Sequence, residues 1–421
     1  MSGSKRVLIA GGGISGLTAA LCLHRAGHQV QVFESVAEPR ELGVGLNLLP
    51  HSVRILHDLG LADQLAAAAV QTSALRFCSE NGVTIWEEPR GEAAGNPWPQ
   101  YSIHRGRLQM VLLDAVKRTL GSEALFLGHH FSHYTEQSDH VEAHFTDRKS
   151  GRPRKSFTGD VLVGADGLHS VLRKLLVTGN DDLFYSGLVL WRGAVEAPAF
   201  LDGRTMIMAG HDQQKAVIYP IRGPQESGGT VLTNWVAERP VDMDVAAADW
   251  NSETDPLVIA EMFKDWDFGW LNVGELIAST PVAYEFPMVD RHPLSQWSHG
   301  RVTLLGDAAH PMRPNGSNGA AQGILDAEAL TGALSEHADP ERALLAYDQQ
   351  RVDPTGRLVL ANRQAGPERV MQWVHDRCDG TCQGQHQCVP TSDLEREANA
   401  YKKLAGFDIS QLQALAQQPQ E

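Results

Sequence analysis

A chain of 421 residues, 42% of them hydrophobic, can bury a large core, and at about 100–200 residues per domain it predicts two closely joined domains. Its formal net charge of −15 speaks against a nucleic-acid backbone or an anionic membrane surface as partner. No stretch approaches the ~18 consecutive apolar residues of a membrane span.

Lys5 and Arg6 precede an apolar segment, but that segment runs straight into Gly11–Gly13 and reads as a first strand rather than a signal peptide. The five cysteines, Cys22, Cys78, Cys378, Cys382 and Cys388, are odd in number and follow no secretory signal. They predict reduced thiols in the cytoplasm; the sequence leaves monomer and homodimer both open.

Arg6–Ala10 is a short continuous apolar run, the pattern of a strand buried on both faces. Ile14–Ala26 predicts a helix and Gln29–Glu34 a second strand, which makes a βαβ start. Between the first two lies Gly11-Gly12-Gly13-Ile14-Ser15-Gly16, a G-x-G-x-x-G turn. Gly11 permits the tight turn, Gly13 lets backbone approach a pyrophosphate, and Gly16 allows close helix–strand packing. The helix start there, with Ile14 and Ser15, offers N–H groups and a positive dipole end to phosphates. Glu34 ends the second strand about 20 residues on, where an acid accepts from ribose hydroxyls and repels the 2′-phosphate of NADP. The turn therefore predicts FAD or NAD.

Arg105–Leu120 carries Leu108, Leu112, Val116 and Leu120 on one face and ends at Gly121, so it predicts an amphipathic helix. Val141, Ala143 and Phe145 alternate with polar residues, and Phe157–Gly164 is another apolar run. The basic stretch from Arg148 to Lys155 between them reads as a solvated hairpin turn. From about Tyr185 to Tyr284 the chain is strand-like and rich in bulky side chains, with no nucleotide motif. Val302–Leu305 predicts a further strand and Asn318–Leu334 a further helix; the tail beyond Ala361 reads as helical and polar.

Leu304-Leu305-Gly306-Asp307-Ala308-Ala309-His310-Pro311, followed by a Gly-rich turn and helix, resembles the C-terminal GD motif of the flavoprotein aromatic hydroxylases. That group A monooxygenase family contains 4-hydroxybenzoate and salicylate hydroxylases. Gly164-Ala165-Asp166-Gly167 matches its central DG motif, which on its own would be a β-turn. Segments such as EEPRGEAAGNPWPQYSIHRGRLQM, DWDFGW and YEFPMVDRHPL resemble its phenazine-tailoring branch, typified by 5-methylphenazine-1-carboxylate 1-monooxygenase.

The resemblance runs from Val7 to about Asn362 and implies an α/β fold: a Rossmann-like FAD-binding domain of the GR2 type, as in 4-hydroxybenzoate hydroxylase, with an inserted β-sheet substrate domain and a C-terminal helical tail. The expected segments are 1–75, 101–184 and 285–365 for FAD, 76–100 and 185–284 for substrate, and 366–421 for the tail. It implies that Asp307 binds the ribityl chain and that Gly306 belongs to the same motif. Gly316, Gly319 and Ala320 would bring backbone N–H groups to the flavin pyrimidine edge, where reduced flavin carries negative charge. Asp166 and Gly167 would serve FAD and the nicotinamide pyrophosphate. Arg105, with Gln109 one turn on, would contact FAD, and Gly43 and Gly45 lie in the loop that passes over the isoalloxazine.

There is no second strand–G-x-G-x-x-G–helix unit, which suits NADH or NADPH as a transient co-substrate. The family's chemistry is then O2 addition to reduced flavin and attack of an electron-rich aromatic carbon on the resulting C4a-hydroperoxide, with the protein excluding water. The expected partners are an aromatic or heteroaromatic small molecule of phenazine or phenolic carboxylate type, NAD(P)H and O2. Pro314 matches a proline whose carbonyl lies by the substrate, with a turn proline as the competing reading. Tyr219 matches a substrate-binding tyrosine of some phenol hydroxylases, with a packed sheet residue as the competing reading. Where those relatives have a histidine four residues earlier, this chain has Lys215.

No metal is expected. Cys378, Cys382, His386 and Cys388 could supply four ligands but lack C-x2-C spacing, and reduced packing or surface cysteines are the expectation. Two other activities remain open: an FAD oxidase or reductase without oxygen transfer, and a non-catalytic binding protein like the Rab GDP-dissociation inhibitors, which share the fold and first glycine motif. The W-x-W-x-I-P signature of flavin halogenases is missing.

Overall fold

A computed structural model describes residues 3–179, 181–224, 229–243, 252–378 and 388–417. Its centre is a parallel sheet of five strands in the order Val302–Leu304, Val161–Gly164, Arg6–Ala10, Gln29–Glu34 and Leu125–Leu127. Val7, Leu8, Ile9 and Ala10 are all buried, as a continuous apolar strand inside a parallel sheet must be. The helices Ile14–Arg25, Arg105–Leu120 and Gly319–Glu336 contribute to the same core.

A three-stranded antiparallel meander, Phe157–Gly159, Val141–Thr146 and His130–Glu136, packs against the sheet through aromatic rings. Phe33 stacks on Phe145 and Phe126 at centroid distances of 4.2 and 5.0 Å. The apolar run Phe157–Gly164 is two strands in two sheets. The chain changes sheet at Asp160, whose carboxylate accepts from the Arg6 backbone at 2.7 Å and from its guanidinium at 2.8 Å. Periodicity alone cannot reveal such a break, because both halves are apolar.

The second sheet has eight strands, the first beginning at Ala74 and the last in sequence ending at Asp290. Its two faces separate by residue parity. On Gln214–Arg222, Ala216 and Ile218 join a core with Trp235, Phe263 and Trp266 under the helices Pro256–Met262 and Val273–Ala278. Val217, Tyr219 and Ile221 point the other way, with Leu190, Met206, Met208 and Val236.

The tail closes that second face. A long helix, Pro340–Arg363, is capped by Asp339, whose side chain accepts from the Glu341 backbone N–H. Arg369–Cys378, Thr391–Ala405 and Ile409–Ala416 follow, and Met371 and Val374 pack into the same core as Tyr219.

The expectation of reduced cysteines is overturned for two of them: Cys378 and Cys388 form a disulfide, their Cα atoms 5.7 Å apart. Sulfurs joined in this way are not thiolate zinc ligands, so the four-ligand reading loses two members; Cys382 and His386 lie outside the described residues. Cys22 and Cys78 are free and buried. Among the described residues no helix is long and apolar enough to cross a membrane.

Candidate active site

One cavity runs from the first glycine turn to the closed face of the eight-stranded sheet. Gly13, Ile14 and Ser15 line one end, Gly167, Leu305, Asp307, Pro314, Gly319 and Ala320 its length, and Tyr219, Val217 and Met208 the far end. Gly45 and Arg105 also line it.

The glycine turn is built for close approach. Gly11 has φ +115°, and a Cβ there would lie 2.2 Å from the Ala165 carbonyl oxygen, so the first and central motifs touch. A Cβ at Gly16 would lie 2.1 Å from the Gly11 carbonyl oxygen, whereas one at Gly13 would meet nothing within 4 Å. Gly13 therefore faces open cavity.

Two helices open onto this space, Ile14–Arg25 and Gly319–Glu336, and neither has a side-chain N-cap bond. His104, Ser170, Asp255, Asn272, Asp339 and Asp408 cap other helices in this way, while Pro50–Asp58, Ala62–Ala68 and Thr391–Ala405 also lack such a bond. Because Gly13, Ile14, Ser15, Gly319 and Ala320 line the cavity, the uncapped first turns of both helices suit a ligand acceptor there. Asp307 and Arg105 are exposed beside them and add a carboxylate and a guanidinium. Amides for a pyrophosphate, a carboxylate for a polyol chain and a second helix terminus for an electron-rich ring edge suit FAD.

Other expected residues lie behind this lining. Glu34 is buried and binds the glycine turn itself, accepting from the Gly12 N–H at 2.8 Å and the Val36 N–H at 2.7 Å. Gln109 donates to the Gly12 carbonyl at 2.9 Å. Asp166 faces its own helix, accepting from the Val171 and Leu172 N–H groups at 2.8 and 3.2 Å and from the Ser170 hydroxyl. Burial raises the Asp166 pKa against those bonds. Of the central motif, Ala165 and Gly167 reach the cavity.

Gly306 has φ +62° and lies against Ser15, where its Cβ would come within 2.6 Å of Oγ. Gly43 flanks Arg105 at φ +105°. The Gly45 N–H donates to Asn234 Oδ1 at 2.7 Å and its carbonyl accepts from Arg192 at 2.6 Å, which fastens the loop to the second sheet.

Several contributors carried no site role in the sequence reading, although Arg173 closes the stretch that matches the central motif. Arg173, 1% exposed, donates to the carbonyls of Ala308 and Ala309 at 3.0 and 2.7 Å and pairs with Asp181. It joins the central motif to the GD motif. Gly323 lets Ser15 pass, since a Cβ there would lie 2.1 Å from its hydroxyl. Arg192 reaches the cavity near Tyr219, whose hydroxyl pKa is raised by burial and partly restored by Arg192. Glu368, from the tail, lines the cavity with Glu238, and both pair with Lys215. Only alternation along Gln214–Arg222, which places Lys215 with Tyr219, signalled any of this.

Residues 4–361 match the FAD binding domain family, and the chain belongs to it. It is an FAD-dependent enzyme of the aromatic hydroxylase type. The chain is 44% identical, over 85% of its length and 89% of the relative, to the phenazine 1,6-dicarboxylic acid hydroxylase PhzS of Lysobacter antibioticus. It is 31% identical to the 3-amino-4-hydroxybenzoate 2-monooxygenase of Streptomyces cremeus, over 97% of this chain and 98% of that one. In fold it resembles a salicylate hydroxylase solved as a substrate complex, with TM-score 0.75 and 22% identity over 99% of both chains.

Proposed function

We propose that this enzyme uses NAD(P)H and O2 to hydroxylate an aromatic or heteroaromatic carboxylate of the phenazine or benzoate type. The observation that carries the reading is one continuous cavity, lined at one end by Gly13, Ile14 and Ser15 and at the other by an apolar sheet face. Bound FAD would accept reducing equivalents from NAD(P)H and activate O2 for transfer of one oxygen atom.

The remaining roles belong to the chain. The N–H groups of Gly13, Ile14 and Ser15 would hold the pyrophosphate, with Gly11 and Gly16 shaping the turn. Asp307 would hold the ribityl chain, and Gly316, Gly319 and Ala320 would bring the second helix terminus to the pyrimidine edge. Glu34 and Gln109 would fix the turn's geometry, Arg105 would balance negative charge, and Gly43 and Gly45 would cover the ring. Gly306 would keep the first and third motifs in register. Asp166 would act by capping, and Gly167 through its backbone.

Leu190, Met206, Met208, Val217 and Val236 line the far end and would bury an aromatic ring away from water. Tyr219 and the Pro314 carbonyl would orient it. We place the reaction in the cytoplasm, where soluble NAD(P)H is available.

The test is turnover of phenazine-1,6-dicarboxylate and 3-amino-4-hydroxybenzoate under 18O2, with NADH or NADPH. Product gaining one labelled oxygen, with stoichiometric nicotinamide oxidation, is expected. Nicotinamide oxidation with no labelled product from any aromatic carboxylate would mean an oxidase or reductase instead.

A further inference from the structure

Away from the cofactor cavity, three side chains able to ligate a metal meet where two strands of the second sheet end. Glu80 lies in the turn between strands Ala74–Cys78 and Thr84–Pro89, His211 ends strand Thr205–His211, and His375 sits on the tail helix Arg369–Cys378. They line one small cavity with Met371, Val374 and Cys378, and none of the three lines the cofactor cavity.

Strand Thr205–His211 runs parallel to Ala74–Cys78 with Ala209 opposite Cys78, so His211 and Glu80, each two residues further on, leave the sheet side by side. Ala209 faces the core that holds Trp266, and strict alternation would send His211 the same way. Gly210 between them has φ +102°, which breaks the alternation and leaves His211 to the tail. On the tail helix Met371, Val374 and Cys378 form the buried stripe, and His375, four residues after Met371, extends it. The Gln372 side-chain carbonyl accepts from the Asp212 N–H at 2.9 Å, which fixes the helix beside the hairpin.

The rings of His211 and His375 stack with centroids 3.9 Å apart and 23° between their planes. Glu80 Oε2 lies 3.1 Å from His211 Nε2. One ligand atom from each residue lies within 4.8 Å of the other two. Bonds of about 2.0–2.2 Å place two ligands of one ion up to about 4.2–4.4 Å apart, so a small ring rotation closes the set. Two imidazoles and one carboxylate suit zinc, cobalt or nickel, whereas magnesium and calcium take oxygen donors.

We infer that Glu80, His211 and His375 bind one divalent transition metal of the zinc type, with water as the fourth ligand, and that the metal clamps the tail helix to the second sheet. In the free protein His211 Nε2 donates to Glu80. On binding, Nε2 and the Glu80 carboxylate turn to the metal, and the imidazole proton moves to Nδ1. The long contact from the Gln213 N–H to Nδ1, at 3.3 Å, is given up to water. The clamp also steadies Glu368, which lines the cofactor cavity and directly precedes the clamped helix. No spacing in the sequence announces the set, because its members come from three distant segments.

The experiment strips the full-length FAD holoenzyme with a chelator, dialyses it and titrates it with ZnCl2 by calorimetry, with the melting temperature followed in parallel. One equivalent should bind and raise the melting temperature, and MgCl2 at the same concentration should not. Glu80→Gln and His375→Ala should each weaken zinc binding by about 10-fold or more, the scale of losing even an outer partner of a ligand, and remove the melting shift. His144→Ala breaks the stacked pair of His133 and His144, 4.3 Å apart, and should leave both readouts unchanged. If His375→Ala fails to fold, Glu80→Gln decides. Zinc that does not saturate near one equivalent, an equal effect of MgCl2, or a Glu80→Gln protein within twofold of the wild-type affinity overturns the inference. So does a His144→Ala protein that loses zinc as the site variants do.

Discussion

The Tyr401 hydroxyl sits directly on Gly316: a Cβ at that glycine would lie 2.1 Å from Oη, and Gly316 itself has φ +72°. A tail residue thus shapes the turn that leads into the Gly319 helix. The hydroxyl accepts from Asn318 Nδ2 at 3.0 Å and lies 2.8 Å from Asn362 Oδ1, its acceptor. Tyr401→Phe leaves those buried amides underserved and should destabilise the protein by about 1–3 kcal/mol. Flavin retention should fall with it, because the turn loses its brace. Thermal melting with and without added FAD checks this; an unshifted melt would show that the tail is not coupled to the turn.

Asp307 stands exposed in the cavity, so removing it should leave the unliganded fold unchanged within about 0.5 kcal/mol. A hydrogen bond involving a charged group is worth about 1.5–3 kcal/mol, or roughly 10–150-fold in affinity. Asp307→Ala should therefore raise the FAD dissociation constant by that factor at an unchanged apoprotein melting temperature. Equal flavin content after purification would count against a ribityl contact.

Much of the nucleotide half was legible because its requirements are local. A tight turn, a helix start and a buried strand each leave a mark within ten residues, as Gly11–Gly16 and Arg105–Leu120 do. Long-range relations left no such mark. Nothing near Asp166 announces that its carboxylate turns toward Val171 and Leu172. Nothing in the polar tail shows that Glu368 and Tyr401 reach the cavity region, since their partners are 153 and 83 residues away. The disulfide was hidden for a related reason: cysteine parity in the whole chain says little about two thiols that the fold brings together.

Arg173 is the clearest case of a structural residue inside a cofactor motif. Its guanidinium binds two carbonyls of the GD segment and Asp181 at once, a planar fork that lysine cannot reproduce. Arg173→Met should cost about 3–5 kcal/mol by breaking a buried pair. Arg173→Lys should recover only part, because one ammonium cannot serve all three acceptors. Urea unfolding of the three proteins gives the ranking, and an Arg173→Lys protein as stable as the wild type would refute the bridging role.

His51 supplies a pH-dependent weakness. It is fully buried, its ring lies 5.6 Å from that of Phe407, and neither ring nitrogen has a hydrogen-bond partner among the described residues. Burial, reinforced by Arg351 and Arg54, pushes its pKa down to about 3 from an ordinary 6.5. The unfolded chain therefore binds a proton in this interval that the folded chain refuses. The His51 contribution is intact above pH 6.5 and is lost progressively as pH falls toward 3, at up to about 1.4 kcal/mol per pH unit. Depressed carboxylates such as Asp326, held at about 2 by His310 and Arg351 against the opposing effect of burial, come into play only below pH 4. His51→Leu should thus flatten the decline in melting temperature between pH 6.5 and 4.5 while leaving the steep loss below pH 4. Parallel curves for the two proteins across that upper interval would show that His51 stays neutral in both states.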